Sequence, residues 1–221
     1  MNLARATRAL AGIAPRQLVS QPFVRAHNTD VLHVPLLLGE PRYDHLFDCR
    51  YSFKRGYRFN FQGEMPVLYL GCDKETSSYE IGPRTHEAFL GSLAYARSNP
   101  YLFIDVDVTT AVLDLTDRGV RRTLGVSKPD ILIPTDKWES DMKKRSRSIT
   151  HHLGALAWND DRFGGILYPS YPAFARKKTS KKTCIALFMD VTSEGMATPR
   201  APTRLVVVDA HGILMKAGFR F

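Results

Sequence analysis

Short apolar runs punctuated by proline and glycine alternate along this chain with stretches of helical spacing. The run Pro66-Val67-Leu68-Tyr69-Leu70-Gly71 is bounded by Pro and Gly and predicts a buried strand. Thr76 to Ile81 has room for one or two helical turns before Pro83 interrupts. Thr85 to Arg97 then places Ala88, Phe89, Leu93 and Ala96 at helical spacing, which predicts a helix ending before Pro100. Tyr101 to Leu115 is β-like, with Phe103, Val106, Val108, Val112 and Leu113 among short polar residues, and predicts two strands or one long bent one. Asp136 followed three residues later by Glu139 has the form of a capping box with Asp in the first place. From there Trp138, Met142, Ile149, Leu153 and Leu156 supply one apolar helical face. Gly164-Gly165 breaks the pattern. Strands are expected at Ile166-Leu167-Tyr168, ending at Pro169-Ser170, and at Cys184 to Met189 and Arg204 to Val208. At the start, Leu3, Thr7, Leu10 and Ile13 line one face of a short helix.

Helices and strands are mixed, with no repeat period and no regular strand-helix-strand crossovers, so the fold class is α+β: a single domain with a mixed or antiparallel sheet flanked by helices. A length of 221 residues suits one domain with a full core. An apolar share of 44% against 24% charged excludes a disordered chain, and no apolar stretch reaches the length of a membrane span. Arg5, Arg8, Arg16 and Arg25 precede the first acid, Asp30, as in an organelle transit peptide, but a short helix packed on the domain accounts for the same residues.

The net charge of +9 asks for an anionic partner. It gathers at Lys143, Lys144, Arg145 and Arg147, and again from Arg176 through Lys177, Lys178 and Lys181 to Lys182. Solvated surface is the plain reading of both runs. Direct nucleic-acid binding would call for interleaved aromatics or a recognition motif, and neither accompanies the second run. Cys49, Cys72 and Cys184 form no CxxC pair, which points to a reducing compartment and to buried thiols rather than a disulfide or zinc site. His151 and His152 are adjacent and diverge on a helix, so no metal site is expected.

Four pieces in order resemble the RES-domain family, named for Arg, Glu and Ser. They are Arg25-Ala26-His27; Gly56-Tyr57-Arg58-Phe59-Asn60 with Gly63 and Val67-Leu68-Tyr69-Leu70 after it; Thr76-Ser77-Ser78-Tyr79-Glu80; and Gly164-Gly165-Ile166-Leu167-Tyr168-Pro169-Ser170, preceded by Val112 to Thr116. The resemblance is strongest over residues 23–188, so residues 1–22 are an extension and the domain runs from 23 to 221. Tyr57 stands where the family usually has a second Gly, and Phe59 where Trp is common. Arg42, in Pro41-Arg42-Tyr43, rivals Arg25 for the role of the first arginine.

The resemblance implies a fold related to ADP-ribosyltransferases, NAD as substrate, an Xre-type antitoxin as partner and a toxin acting in the cytoplasm, with DNA reached only through the antitoxin. It implies Arg25 and Arg58 as diphosphate ligands, Tyr69 at the nicotinamide, Glu80 at the ribose, and Ser170 positioning the ligand; Glu80, Arg58, Tyr69 and Ser170 form the catalytic set. The chemistry agrees. A guanidinium grips phosphate oxygens in bidentate fashion. Loss of nicotinamide leaves an oxocarbenium-like ribose that a carboxylate offsets. The plainer roles are an i,i+4 pair of Glu80 with Arg84, a core aromatic at Tyr69 and a turn serine at Ser170. Arg58 and Glu80 are expected to face a solvent-filled cleft, and the 176–182 segment to steer anions toward it. Breakdown of NAD by water or phosphate is the first reading, ADP-ribosyl transfer to a protein the second, and a basic nucleic-acid-binding protein the rival outside enzymes.

Overall fold

The computed structural model describes residues 3–28, 46–80, 101–176, 182–191 and 197–208. The helix expected at Thr85–Arg97, together with Arg42, Arg84, Lys177, Lys178 and Lys181, lies outside them. The chain opens with α1 (Leu3–Ala11), β1 (Arg16–Asn28), α2 (Arg50–Arg55), β2 (Val67–Gly71) and α3 (Lys74–Glu80). It continues with β3 (Tyr101–Asp114), α4 (Arg118–Leu124), α5 (Lys128–Ile131), α6 (Thr135–Lys143) and α7 (Ile149–Trp158), then β4 (Gly165–Pro169), α8 (Tyr171–Ala175), β5 (Thr183–Val191), β6 (Ala197–Pro199) and β7 (Arg204–Val208).

The sheet runs β1-β2-β5-β4-β3-β7, and β1 also pairs with β3, so the path returns to its start. All pairings are antiparallel except β3 with β4, which makes the sheet mixed. Alternation divides each strand between two apolar layers. Leu68, Leu70, Ile104, Val106, Ile185 and Leu187 face one of them. Val67, Leu113, Ile166, Tyr168, Ala186 and Phe188 face the other, where Leu153 and Ala157 of α7 cover them.

β3 is one continuous strand, settling that alternative. β1 begins at Arg16 and runs through the expected domain start at residue 23. α1 packs on α4 and α7, and its last carbonyls accept from Arg162, with Leu10 O 3.0 Å from Nη2. The single apolar face drawn from Trp138 to Leu156 is corrected to two helices. Arg145 at φ 54° turns the chain after α6, and Ser148 restarts it by capping α7. The Asp136–Glu139 capping box is corrected as well: α6 starts at Thr135 behind Pro134, with no side-chain cap. Reciprocal caps occur instead at Ser127–Asp130 and Ser148–His151.

Two glycines set close approaches that matter for the site. Gly71 closes the ring opposite Val24, and a Cβ there would lie 2.5 Å from Ser77 Oγ. Ser77 uses that space: its hydroxyl donates to Val24 O at 2.7 Å and accepts the Gly71 N–H at 3.1 Å, stitching the middle of α3 to both strands. Gly154 brings α7 against the 57–60 turn, where a Cβ would collide with the Phe59 carbonyl.

Candidate functional site

Glu80 ends α3, and Ser170 stands at the junction of β4 and α8. Ser170 Oγ donates to Glu80 Oε1 at 2.7 Å and accepts the Ala173 N–H at 3.3 Å, capping α8. A hydroxyl that must do both has one orientation, so the cap aims the proton at the carboxylate. The Cys184 thiol donates to the same oxygen at 3.4 Å, and burial holds its pKa well above the ordinary thiol value. Both bonds fall on Oε1; among the described residues Oε2 keeps its acceptor capacity.

Two tyrosine rings stand beside this pair. Tyr69, in β2, donates to Asn60 Oδ1 at 2.8 Å and accepts the Phe59 N–H at 3.0 Å, and burial raises its phenol pKa. Its hydroxyl is thereby committed to the 57–60 turn. Tyr57 lies with its ring centroid 4.9 Å from that of Tyr69 and 5.1 Å from that of Trp138, and its hydroxyl donates to the Glu80 backbone carbonyl at 3.2 Å. His151 holds Tyr57 from below: Nδ1 accepts the Ser148 N–H at 3.1 Å, so the proton sits on Nε2 and is donated to Tyr57 O at 2.9 Å. Burial lowers the His151 pKa to about 4, keeping the ring neutral in that tautomer at neutral pH.

The arginines differ from expectation. Arg58 does not face solvent: it is 2% exposed, and Nη1 donates to the carbonyls of Ile131 at 3.2 Å and Ile133 at 2.8 Å, with the Tyr171 ring 5.9 Å from the guanidinium carbon. The reason is the turn from α5 into Ile133, whose carbonyls point inward and need a donor. Arg25 runs behind Tyr69, donating to Tyr69 O at 3.0 Å and Asp48 O at 3.2 Å; burial lowers its pKa, and among the described residues its Nε has no partner. The structure therefore brings Glu80, Ser170, Tyr69 and Arg58 into one neighbourhood and sets Arg25 beneath it. Tyr57 and His151 were missed in the sequence; the departure from Gly at position 57 was the one available signal. Lys182, at the end of the basic segment, is not free for steering: it is paired with Asp73 and Glu75.

Among the described residues no group of three or more His, Cys, Asp or Glu could hold a metal, and no helix is long and apolar enough to cross a membrane. No curated protein matches the chain. A chain of the M. tuberculosis MbcT-MbcA toxin-antitoxin complex shares its fold, with a TM-score of 0.52 and 15% identity over 92% of this chain and 91% of that one. The RES domain model matches residues 39–209, a span that includes Arg42, Arg58, Tyr69, Glu80 and Ser170 and leaves out Arg25. With most of its length inside that match and the Glu80–Ser170 contact at the meeting of α3 and β4, the chain belongs to the RES-domain family.

Proposed function

We propose that this chain is the toxin of a toxin-antitoxin pair and that it depletes NAD by cleaving the nicotinamide-ribose bond. The observation that carries this reading is the Glu80 carboxylate held by the Ser170 hydroxyl at 2.7 Å beside the rings of Tyr57 and Tyr69. The fold shared with a toxin-antitoxin complex supports the toxin role.

In this reading the bond between ribose C1′ and the nicotinamide nitrogen breaks with its electron pair passing to the ring, which leaves neutral and needs no general acid. Glu80 accepts a hydrogen bond from a ribose hydroxyl and offsets the positive charge growing at C1′. Ser170 keeps the carboxylate in place, while Tyr57 and Tyr69 offer faces to the nicotinamide. Water or phosphate then adds its oxygen to C1′ and releases a proton to solvent. Arg42 becomes the proposed first arginine, because it lies inside the matched span whereas Arg25 is turned to backbone carbonyls. The chain acts in the cytoplasm, on a fold related to ADP-ribosyltransferases, and an Xre-type antitoxin neutralises it by covering the cleft and carries any contact with DNA.

Purified chain incubated with NAD, with and without phosphate, tests the reading. Nicotinamide release with ADP-ribose or its phosphate as co-product is the expected result; intact NAD in every condition refutes it. An added protein that acquires the ADP-ribosyl group would move the activity to transfer. In cells, expression alone should arrest growth, and co-expression with a cognate antitoxin should relieve it.

A further inference from the structure

We propose that Lys182 is a positioning residue that sets Glu80 against Ser170, an inference that rests on those two forming the reactive pair. They come from distant parts of the chain, and Lys182 touches the support of each. Its backbone carbonyl accepts the Ser170 N–H at 3.0 Å. Its ammonium reaches back to the other end of α3, where it bridges Asp73 and Glu75, the latter at 3.0 Å. Asp73 is the cap of that helix: Oδ1 accepts the Thr76 N–H at 2.7 Å and its carbonyl accepts the Ser77 N–H at 2.9 Å. The next residue continues the clasp, with Thr183 O accepting the Cys72 N–H at 2.9 Å.

The leverage comes from the shape of α3. From Asp73 to Glu80 the helix rises about 10 Å, two turns, and Ser77 fixes its middle to Val24 O and Gly71 N. A short rod held at its middle pivots there. Releasing the Asp73 end lets the Glu80 end shift relative to Ser170, restrained there by the Tyr57 hydroxyl on the Glu80 carbonyl. A partly exposed ion pair contributes little to the stability of the whole fold, so losing Lys182 loosens α3 locally and is felt in its geometry. The two acids, Asp73 first, hold the ammonium above its ordinary pKa and keep the clasp charged. Burial pushes the Asp73 carboxyl up, but hydrogen bonds from Lys182 and Thr76 outweigh it and leave the group below its usual range.

The experiment uses the full chain. Lys182→Met should lower kcat for NAD cleavage severalfold, up to about tenfold, and leave KM close to the wild-type value, because Lys182 is given no contact with substrate. Lys182→Arg should recover most of the loss. Amide exchange across residues 74–80 should speed up in the Met variant and return toward wild type in the Arg variant. Asp73→Asn keeps the cap acceptor while removing the charge; it should give a smaller loss of the same kind and serves if Lys182→Met fails to fold. Unchanged kcat and exchange in Lys182→Met overturn the proposal, and so does a loss that Arg fails to recover. The exchange measurement does not depend on the substrate. A wild type that leaves NAD intact refutes the functional reading, whereas exchange that depends on Lys182 still shows the clasp.

Discussion

Glu80 and Arg58 belong to one neighbourhood and carry opposite charges, yet their surroundings differ in kind. Glu80 is half-buried, and its carboxylate is held by side-chain donors, the Ser170 hydroxyl and the Cys184 thiol. Arg58 is enclosed, and its Nη1 serves main-chain carbonyls on the turn after α5. Both side-chain bonds fall on one carboxylate oxygen and leave the other to a ligand, whereas main-chain carbonyls cannot leave without unfolding a turn. In the proposed reading the acid is therefore the group that acts on the substrate. The guanidinium holds the turn between α5 and α6 in place.

The strongest test of this contrast is Glu80→Gln, which keeps the shape and removes the charge. NAD cleavage should fall by about 10²–10³-fold, with little change in melting temperature, and nicotinamide release and a thermal melt on one preparation measure both. Unaltered turnover would remove Glu80 from the chemistry. Arg58→Met should do the reverse: it leaves the Ile131 and Ile133 carbonyls without their donor and should destabilise the fold by about 3 kcal/mol, seen as a lower midpoint in urea. A variant as stable as wild type but unable to bind NAD would invert the comparison.

The His151 support under Tyr57 supplies a third test. Its pKa is lowered in the fold from 6.5 to about 4, so the unfolded chain binds the proton first. Stability is full above pH 6.5 and declines as pH falls toward 4, by up to ~3 kcal/mol for this group. His151→Gln should flatten that part of the pH profile of the melting temperature. Ser170→Ala is expected to have the smallest effect: about a tenfold loss of turnover and ~1 kcal/mol from the lost α8 cap. A much larger loss of turnover would give Ser170 a direct part in the reaction.

β2 and β4 were legible because apolar runs bounded by Pro or Gly mark buried strands, and β5 and β7 because each is an apolar run of strand length. β1 was not, although it is among the longest. Its alternation is broken by a register shift between Leu18 and Gln21, with Ser20 at φ 47°, and Pro22 lies inside it. Period-two reading fails across such an irregularity. In the site, Glu80 and Ser170 were found through motif order, but nothing local announced that they would touch. Arg58 shows the limit more sharply. Its partners lie 73 and 75 residues downstream, and a charge is read from sequence as ligand-binding when its partners are distant carbonyls that sequence does not display. His151 was visible only as half of an unpromising pair; its tautomer depends on the α7 cap and on Tyr57.

Gly154 carries a consequence for how this chain can change over generations. By intrinsic preference, Ala at this interior helix position would favour α7 by about 1 kcal/mol, and stabilising replacements of that kind are commonly open to a protein. Here the added methyl would meet the Phe59 carbonyl and push away the turn that carries Tyr57 and Arg58. Robustness and site geometry are thus in conflict at one residue, and the route to a more stable α7 runs through its other positions.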